Sequence, residues 1–397
     1  MIILSIETSC DETAVSILEA TGDFPHASYK ILGNALFSQI DIHREYGGVF
    51  PAVAKREHAK TLVPMLTKAL TEANLLKEQK SKLTQEQTEE LHTILHREEG
   101  LGDALVDFFE SHTVPNIDLI AVTTGPGLEP TLWVGMSFAR ALSYFLNIPI
   151  VPVNHMEGHV LSSIFSGDSL PQVAFPALAL LISGGHTELD LMKDWGHYEC
   201  IGETLDDAVG EAFDKVARML GLPYPGGPEI GTHAQIARDK NLPVFKKLPR
   251  PMLDADNLSF SFSGLKTAVR YAIADVLSFR GSTPKLTKDE VCALARDFED
   301  AVTEVLLTKT QRTIDTHGIQ TLIVGGGVSA NTHIRNTFNA FFEKEYSHLK
   351  TYFPPRNLST DNSIMIALAG HAHAKNALTY GQFSQVKADG NLSIETL

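Results

Sequence analysis

The amino-acid sequence predicts an α/β fold made of two similar lobes, and two observations carry this prediction. Strand-like and helix-like segments alternate along all 397 residues. Residues 2–20 and 176–194 share one plan, an apolar run, a small polar turn and a second alternating run. Residues 117–142 and 319–338 each combine a buried strand, a Gly-rich turn and an amphipathic helix. Both pairs occur in the same order, which favours a duplicated lobe over the strand–loop–helix units common to all α/β chains.

The repeats also predict how the chain is divided. Lobe I is expected over residues 1–152 and lobe II over residues 153–360, because the turn at 151–154 follows the last strand of the first lobe. Residues 361–397 are expected to form a C-terminal helix and tail that packs back toward lobe I. Residues 75–112 are predicted to be a helical insertion, a solvated decoration rather than a partner or dimer surface. Its apolar residues recur near helical spacing: Leu91, Ile94, Leu95, Leu101, Leu105 and Phe108.

Composition excludes several classes of protein. The chain has 33 Lys and Arg against 48 Asp and Glu, a net charge of −15. It therefore carries no uniform basic coat, and a polyanionic partner must meet a local basic patch. The three cysteines lie far apart without a C-x-x-C pair, which excludes a disulfide framework and a zinc ribbon and predicts a reducing compartment. No apolar run approaches the roughly 18 residues of a membrane span.

Gly-rich turns are candidates for phosphate binding, because a turn without side chains lets backbone N–H groups approach a phosphate closely. Neither a P-loop nor a dinucleotide-binding fingerprint is present. Glycine alone more often serves tight packing, but a turn after a matching strand in each lobe favours a nucleotide in an interlobe cleft. The turns lie at residues 125–127, 183–185, 226–227 and 325–327, the last including Gly326 and Gly327.

The segment HMEGH, residues 155–159, is the sharpest candidate for a metal site. On a helix, His155 and His159 share one face and can reach one divalent cation, with Asp361 as the best third ligand. The alternatives are two surface or core histidines and an N-capping aspartate. A metallopeptidase of the H-E-x-x-H type needs its glutamate at the second position, whereas Glu157 occupies the third, about 100° away around a helix.

Two acidic clusters complete the candidate chemistry. The segment IETSCDET, residues 6–13, places Glu7, Asp11 and Glu12 beside three hydroxyl side chains on a turn between two strands, which suits it to orient phosphates, a metal or a water. The second cluster, residues 206–214, puts three carboxylates on one helical face. These groups are either metal ligands or hydrogen-bond partners of ribose and base, and the alternative for the second cluster is a solvated helix face.

Nine motifs, in sequence order, resemble those of the universal tRNA threonylcarbamoyladenosine transferases, the TsaD/Kae/OSGEP-type proteins. The resemblance covers almost the whole chain except residues 75–112 and the tail after Gly381. The insertion and the absence of a leader resemble the mitochondrial branch of the family. The motifs are IETSCDET, YGGVFPAVAKREH, GPGL, NHMEGH, ISGGHTEL, GEAFDKVARMLGLPYPGGP, FSFSGLKTAV, GGGVSAN and TDNSIMIALAG.

The resemblance implies a two-lobed actin-like ATPase fold, the ASKHA or duplicated RNase H-like architecture. It implies one divalent metal ion per subunit, iron or zinc, held by His155, His159 and Asp361, and it makes Asp11 and Glu12 the acidic pair essential for the reaction. ATP, AMP or threonylcarbamoyl-AMP would be bound in the cleft. The implied nucleotide and substrate contacts are Leu181, Ile182, Ser183, Gly184, Gly185, Asp214, Gly227 and Asn331, to which the Gly-rich turn adds Gly326 and Gly327.

The activity implied is metal-assisted transfer of threonylcarbamoyl from threonylcarbamoyl-AMP to N6 of adenosine 37, beside the anticodon of ANN-decoding tRNAs. The donor would come from an adenylate-forming enzyme of the Sua/TsaC type. A metallopeptidase of the glycoprotease type and a small-molecule kinase of the same fold are the alternatives, and an actin-like ATPase scaffold ranks last. Local contacts to tRNA are expected at Lys55, Arg56, Lys246, Lys247, Arg250, Lys266 and Arg270.

The family also implies a homodimer that does not bind membranes. Because a strand-like run begins at residue 1, we expect a protein of the mitochondrial matrix whose transit peptide is absent from this chain, with the bacterial cytoplasm as the alternative.

Overall fold

The chain folds into two compact units. The computed structural model describes residues 1–113, 116–279 and 285–396. The first unit contains residues 1–42, 49–171 and 361–396, and the second contains residues 43–48 and 172–360. The division does not fall at residue 152, because the first unit extends to Pro171 and includes the helix that carries both candidate histidine ligands.

Elements of the N-terminal part build most of the first unit. Strand β1 is buried along almost its whole length, as expected for a strand covered on both faces. In chain order the elements are β1 (Ile2–Glu7), β2 (Glu12–Thr21), β3 (Ser28–Ser38), α1 (Ile40–Arg44), α2 (Pro51–Glu72), β4 (Lys77–Glu78), α3 (Gln85–Ile94), α4 (Leu101–Ser111), β5 (His112–Thr113), β6 (Leu119–Gly125), α5 (Glu129–Leu146), β7 (Ile150–Asn154) and α6 (His155–Ile164).

Elements of the middle part form the second unit. They are β8 (Ala177–Ile182), β9 (Thr187–Asp194), β10 (His197–Glu203), α7 (Val209–Met219), α8 (Gly226–Asp239), α9 (Ser263–Phe279), α10 (Lys288–His317), β11 (Thr321–Gly325), α11 (Thr332–Glu345) and β12 (Lys350–Tyr352), with short 3-10 helices at Gly327–Ala330 and Arg356–Leu358. The chain then returns to the first unit as α12 (Ser363–Ala372), α13 (Tyr380–Phe383) and 3-10 turns at Ala374–Asn376 and Ile394–Thr396.

The strand order confirms the predicted duplication. In the part of the chain that the structure describes, one five-stranded sheet has the order β3-β2-β1-β6-β7 and the other has the order β10-β9-β8-β11-β12. β1 pairs antiparallel with β2 and parallel with β6, and β8 pairs antiparallel with β9 and parallel with β11. β6 and β11 are each followed by a Gly-rich turn. The strand–turn–strand segments at residues 2–20 and 176–194 therefore occupy equivalent positions in two copies of one topology.

Helices cover both faces of the first sheet. Leu4 and Ile6 of β1 belong to the apolar core shared with α2 and α5. On the opposite face α12 approaches β6 so closely that a Cβ at Gly370 would lie 2.4 Å from the Cβ of Ala121. This close approach brings the start of α12, and with it Asp361, to the sheet end where α6 begins.

The insertion is helical, as predicted, and is formed mainly by α3 and α4. Thr84 caps α3 with a capping box in which its side chain and that of Gln87 bond reciprocally to the backbone. The predicted apolar residues lie in the first unit's core, so the insertion has one buried face and one solvated face. The buried residues are Leu91, Ile94, Leu95, Leu101, Leu105 and Phe108.

Candidate metal centre and active site

Helix α6 carries both histidines of the candidate metal site. It begins directly after β7, and the Asn154 side chain caps it by accepting hydrogen bonds from the backbone N–H of Met156 (2.9 Å) and Glu157 (3.4 Å). His155 is the first helical residue, and His159 lies one turn later on the same face. Both side chains are buried, and their ring centroids are 4.7 Å apart at 84°.

Asp361 meets the two histidines just before α12 begins. Its Oδ1 lies 3.4 Å from Nε2 of His155 and 3.2 Å from Nε2 of His159. The alternative role as an N-cap is wrong for this residue, since the Asn362 side chain caps α12 through Met365 N–H. One ligand atom from each residue lies within 4.8 Å of the others, so the three side chains can hold one metal ion.

The donor set fits a divalent cation. His159 Nε2 is buried, and among the described residues its 3.2 Å contact with Asp361 Oδ1 does not have the geometry of a hydrogen bond, so this nitrogen is available to a ligand. Burial alone would raise the pKa of the Asp361 carboxyl, but His155 and His159 hold it well below its ordinary value. The site thus offers two imidazole nitrogens and one ionised carboxylate, ligands that suit zinc and iron.

Glu7 lies behind His155. Its Oε2 accepts a hydrogen bond from His155 Nδ1 at 3.1 Å and another from the Thr123 hydroxyl at 2.5 Å, while Oε1 accepts one from Ser9 N–H. Although burial would raise the pKa of the Glu7 carboxyl, His155 keeps it below its ordinary value. The sequence places Glu7 in an acidic cluster but does not indicate its contact with His155, beyond the position of Glu7 at the end of β1.

The turn between β1 and β2 brings Asp11 and Glu12 to the same unit as the candidate metal ligands. Ser9 on this turn lies 3.3 Å from His155 Nδ1 through its hydroxyl. Asp11 and Glu12 are both buried, and Ser38 donates a hydrogen bond to Glu12 at 3.2 Å. Burial, together with the charges of Asp11 and Asp361, raises the pKa of the Glu12 carboxyl well above its ordinary value.

Glu157 does not serve the site as a metallopeptidase glutamate would. It is buried, and its Oε2 lies 2.7 Å from His373 Nε2 beyond the end of α12. This pairing raises the pKa of the His373 imidazole. This hydrogen bond to a histidine outside the ligand group agrees with a third position of HMEGH that faces away from the three candidate metal ligands.

The second unit gathers the predicted nucleotide contacts around the ends of two neighbouring parallel strands. Leu181 of β8 pairs with Gly325 of β11, so the turns after both strands are adjacent. Gly326 has a φ of +86°, and a Cβ there would lie 2.5 Å from the carbonyl oxygen of Ile182. Gly184 and Gly185 are different, because no neighbouring atom lies within 4 Å of a Cβ built on either. That turn leaves open space for a ligand.

The remaining predicted nucleotide contacts lie on the helices beside these turns. Asp214 of α7 accepts a hydrogen bond from Gly226 N–H at 2.7 Å, and Gly227 has open space around its Cβ position. Asn331 caps α11 through its oxygen and donates from its amide to the buried carboxylate of Glu299 at 2.7 Å. The side chains of Asp214 and Asn331 thus hold the backbone at the starts of α8 and α11 beside these turns.

Asp206 and Asp207 of the second acidic cluster are hydrogen-bonded or ion-paired to other residues of the protein. Asp206 accepts hydrogen bonds from the hydroxyls of Ser261 and Ser263. Asp207 is paired with Lys215 and Lys266, at 2.7 and 2.6 Å. Neither aspartate belongs to the group of side chains that could hold a metal ion among the described residues. The alternative of a purely solvated helix face is wrong for these two residues, which tie α7 to the start of α9.

Most of the basic residues predicted to contact tRNA lie beside a carboxylate, which reduces their charge toward a polyanion. Lys247 is exposed, and the Arg270 guanidinium lies 5.4 Å from the ring centroid of Tyr271. The ion pairs are Lys55–Glu98, Arg56–Glu57, Lys246–Asp275, Arg250–Glu304 and Lys266–Asp207. The helices of residues 1–113, 116–279 and 285–396 include none with the length and hydropathy to cross a bilayer.

Curated relatives match nearly the whole chain. A protein of Ralstonia pickettii is 42% identical over 375 residues, 93% of this chain and 90% of its own. One of Polynucleobacter necessarius is 40% identical over 375 residues, 93% of this chain and 91% of its own. One of Thermosipho africanus is 38% identical over 396 residues, 99% of this chain and all of its own. Each is named tRNA N6-adenosine threonylcarbamoyltransferase.

A solved structure shares the fold. Full-length HypF in its phosphate- and nucleotide-bound form aligns with a TM-score of 0.52 at 11% identity, over 94% of this chain and 55% of HypF. The likeness agrees with the two-lobed actin-like ATPase fold expected from the sequence, and at this identity it concerns the fold alone.

The sequence model of one family matches residues 30–83 and 103–368, and the residues between the two segments fall in the helical insertion. Together with relatives that are about 40% identical over almost their full length, this match settles the family. The chain belongs to the tRNA N6-adenosine threonylcarbamoyltransferases, a family of acyl-transferring enzymes.

Proposed function

We propose that this chain transfers the threonylcarbamoyl group of threonylcarbamoyl-AMP to N6 of adenosine 37 in ANN-decoding tRNAs. The observation that carries the proposal is the three-residue ligand group, His155, His159 and Asp361, in the same unit as the buried Asp11–Glu12 pair. In the reaction N6 attacks the carbamoyl carbonyl, a C–N bond forms, the C–O bond to the phosphate breaks, and AMP leaves with its electron pair. One proton must leave N6.

His155, His159 and Asp361 would hold the ion, iron or zinc. When bound, such an ion acts as a Lewis acid on a carbonyl oxygen. The chain supports this with a ligand group whose members are buried or, for Asp361, only 20% exposed. Exclusion of water strengthens the electrostatic interactions of the site.

Asp11 is the better base of the acidic pair. Burial and the neighbouring carboxylates raise the pKa of the Glu12 carboxyl, which favours Asp11 over Glu12 as the ionised member of the pair. Asp11 would take the N6 proton as the C–N bond forms, a role worth about 10²–10⁴ in rate. This division sharpens the expectation from the sequence, which gave the role to either residue.

The nucleotide part of the donor would be bound by the second unit. The backbone of Ser183, Gly184 and Gly185 forms a turn without bulky side chains, which suits a phosphate. Gly227 offers similar space at the first turn of α8, where the helix N-terminus favours an anion. We place the AMP moiety there, with Asp214 and Asn331 holding the surrounding backbone.

The partners follow from the chemistry. The substrate is tRNA, and an adenylate-forming enzyme of the Sua/TsaC type would supply the donor. Because most of the predicted basic contacts are ion-paired, Lys247 and Arg270 are the strongest remaining candidates for phosphate contacts. The homodimer and the mitochondrial matrix location, with the bacterial cytoplasm as alternative, stay predictions.

The proposal is tested with preformed threonylcarbamoyl-AMP that carries labelled threonine. The chain should move the label to unmodified tRNA with stoichiometric release of AMP and without consumption of ATP. Cleavage of a glycoprotein would instead support the metallopeptidase, which the Glu157–His373 contact disfavours. A phosphorylated small molecule without labelled tRNA would support the kinase. Either result in place of labelled tRNA overturns the proposal.

A further inference from the structure

We infer that Glu7 is a positioning residue that fixes the orientation of His155 for metal binding and, through the same carboxylate, holds the turn that carries Asp11. The inference deepens the proposed function and rests on its metal site. It concerns Glu7 itself, a fully buried residue whose contacts join β1, β6 and α6.

The direction of the hydrogen bond follows from the chemistry of the two groups. Both Glu7 oxygens act as acceptors, Oε1 from Ser9 N–H and Oε2 from the Thr123 hydroxyl. His155 therefore donates from Nδ1 to Oε2 at 3.1 Å. The lone pair of a neutral imidazole then lies on Nε2, the nitrogen that is 3.4 Å from Asp361 Oδ1. A carboxylate behind the distal ring nitrogen also makes the imidazole a stronger ligand.

The carboxylate itself is held in place. Thr123 donates to Oε2 from the neighbouring parallel strand β6, and Ser9 N–H donates to Oε1 from the turn after β1. With these contacts Glu7 cannot rotate without breaking bonds to two other segments. His155 is thereby oriented by a group that is fixed before any ion arrives.

The contact with Ser9 extends the role of Glu7 to the turn between β1 and β2, which carries Asp11. Ser9 lies two residues before Asp11, and its hydroxyl also approaches His155 Nδ1 at 3.3 Å. Its carbonyl oxygen accepts a hydrogen bond from Leu128 N–H, which fixes the other side of the turn. The Glu7 carboxylate therefore fixes both the orientation of the His155 imidazole and the start of the segment that carries Asp11.

The test is the affinity of the whole chain for Zn²⁺ alone, measured by competition with a chromophoric chelator. In Glu7→Gln the amide can donate to Nδ1, which moves the imidazole proton to Nε2 and blocks that ligand atom. We expect zinc to bind 10- to 100-fold more weakly. The matched control is Glu157→Gln, a buried carboxylate hydrogen-bonded to a histidine outside the ligand group, which should keep zinc affinity within about threefold.

Two further measurements keep the inference falsifiable if Glu7→Gln does not fold. Thr123→Val removes one donor to Glu7 and should weaken zinc binding in the same direction by a smaller factor. In the zinc-loaded parent chain, nitrogen-15 NMR should show His155 protonated at Nδ1 and metallated at Nε2. Equal zinc affinity in the parent chain and Glu7→Gln, or metallation at Nδ1, would overturn the positioning role alone. A parent chain that binds no zinc would also remove the metal site.

Discussion

Two turns at equivalent places in the duplicated sheets differ in the chemical groups that they offer to a ligand. The turn between β1 and β2 is buried and rich in side chains, with Glu7 before it and Asp11 and Glu12 at its end. The turn between β8 and β9 contains Gly184 and Gly185, with open space where their side chains would be. One strand–turn–strand plan thus supplies buried carboxylates in the first unit and exposed backbone in the second.

The difference shows how the two units of a duplicated fold can supply different groups to one reaction. Carboxylates that are held by hydrogen bonds suit metal binding and proton transfer, whereas the exposed backbone of a glycine turn suits a phosphate. The two turns should therefore respond differently to mutation. Changes in the first should act on chemistry and metal binding, and changes in the second should act on donor binding.

The largest effect is expected from Asp11→Ala in the first turn. With preformed threonylcarbamoyl-AMP, the transfer rate should fall by about 10²–10⁴, because the N6 proton has no base. Single-turnover measurements check this, since they exclude slow product release. Asp23→Ala, which removes an exposed aspartate near the far end of β2, is the control and should keep the parental rate. Near-normal transfer by Asp11→Ala would remove the base assignment.

The ligand group should be similarly sensitive. His159→Ala removes one of three ligands, so bound metal should fall from one ion per chain to almost none, with a loss of transfer on the order of 100-fold. Elemental analysis of the purified chain measures the first effect. His348→Ala, which removes an exposed histidine of the second unit, should change neither quantity. Full metal content in His159→Ala would show that another group binds the ion.

The second unit's glycines separate a packing role from a ligand role. Gly326→Ala forces a side chain into a positive-φ position 2.5 Å from a carbonyl oxygen, so the free energy of unfolding should fall by about 1–3 kcal/mol. Gly184→Ala meets no protein atom within 4 Å and should keep its stability. Its apparent KM for the donor should rise roughly three- to tenfold, since the methyl group enters the phosphate's space. Unchanged KM would argue against phosphate binding at this turn.

The smallest effect concerns stability at low pH. Partial burial would raise the pKa of Asp206, but hydrogen bonds from Ser261 and Ser263 lower it below its ordinary value. Stability from such a carboxylate is present above its unfolded pKa and is lost as pH falls through the folded value. From about pH 5 to pH 3, Tm should therefore fall less steeply in Asp206→Asn than in the parent chain. Equal slopes would show that these bonds add nothing.

The sequence predicts the duplicated topology and the pairing of His155 with His159, because both depend on short-range patterns. Two repeats of a strand–turn–strand plan imply equivalent strands, and a spacing of four residues implies a shared helix face. The insertion is predictable for the same reason, since Leu91 and Leu95, and then Leu101, Leu105 and Phe108, recur at helical spacing.

Long-range contacts could not be predicted in this way. Glu7 and His155 are separated by 148 positions, and the pairing of β1 with β6 and of β6 with β7 brings them together. The boundary of the first unit extends past residue 152 because α6 packs against α12, more than 190 positions away in the sequence. The ion pairs of Lys55 and Lys246 likewise depend on partners that no local pattern indicates.

The most direct test of transfer to N6 of adenosine 37 is mass spectrometry of tRNA. The chain is incubated with the adenylate-forming enzyme, threonine, bicarbonate and ATP, together with unmodified ANN-decoding tRNA that carries adenosine or guanosine at position 37. Digestion should yield threonylcarbamoyladenosine from the adenosine transcript only, and none when the chain is omitted. Absence of the product with active donor synthesis, or equal modification of both transcripts, would contradict the proposed function.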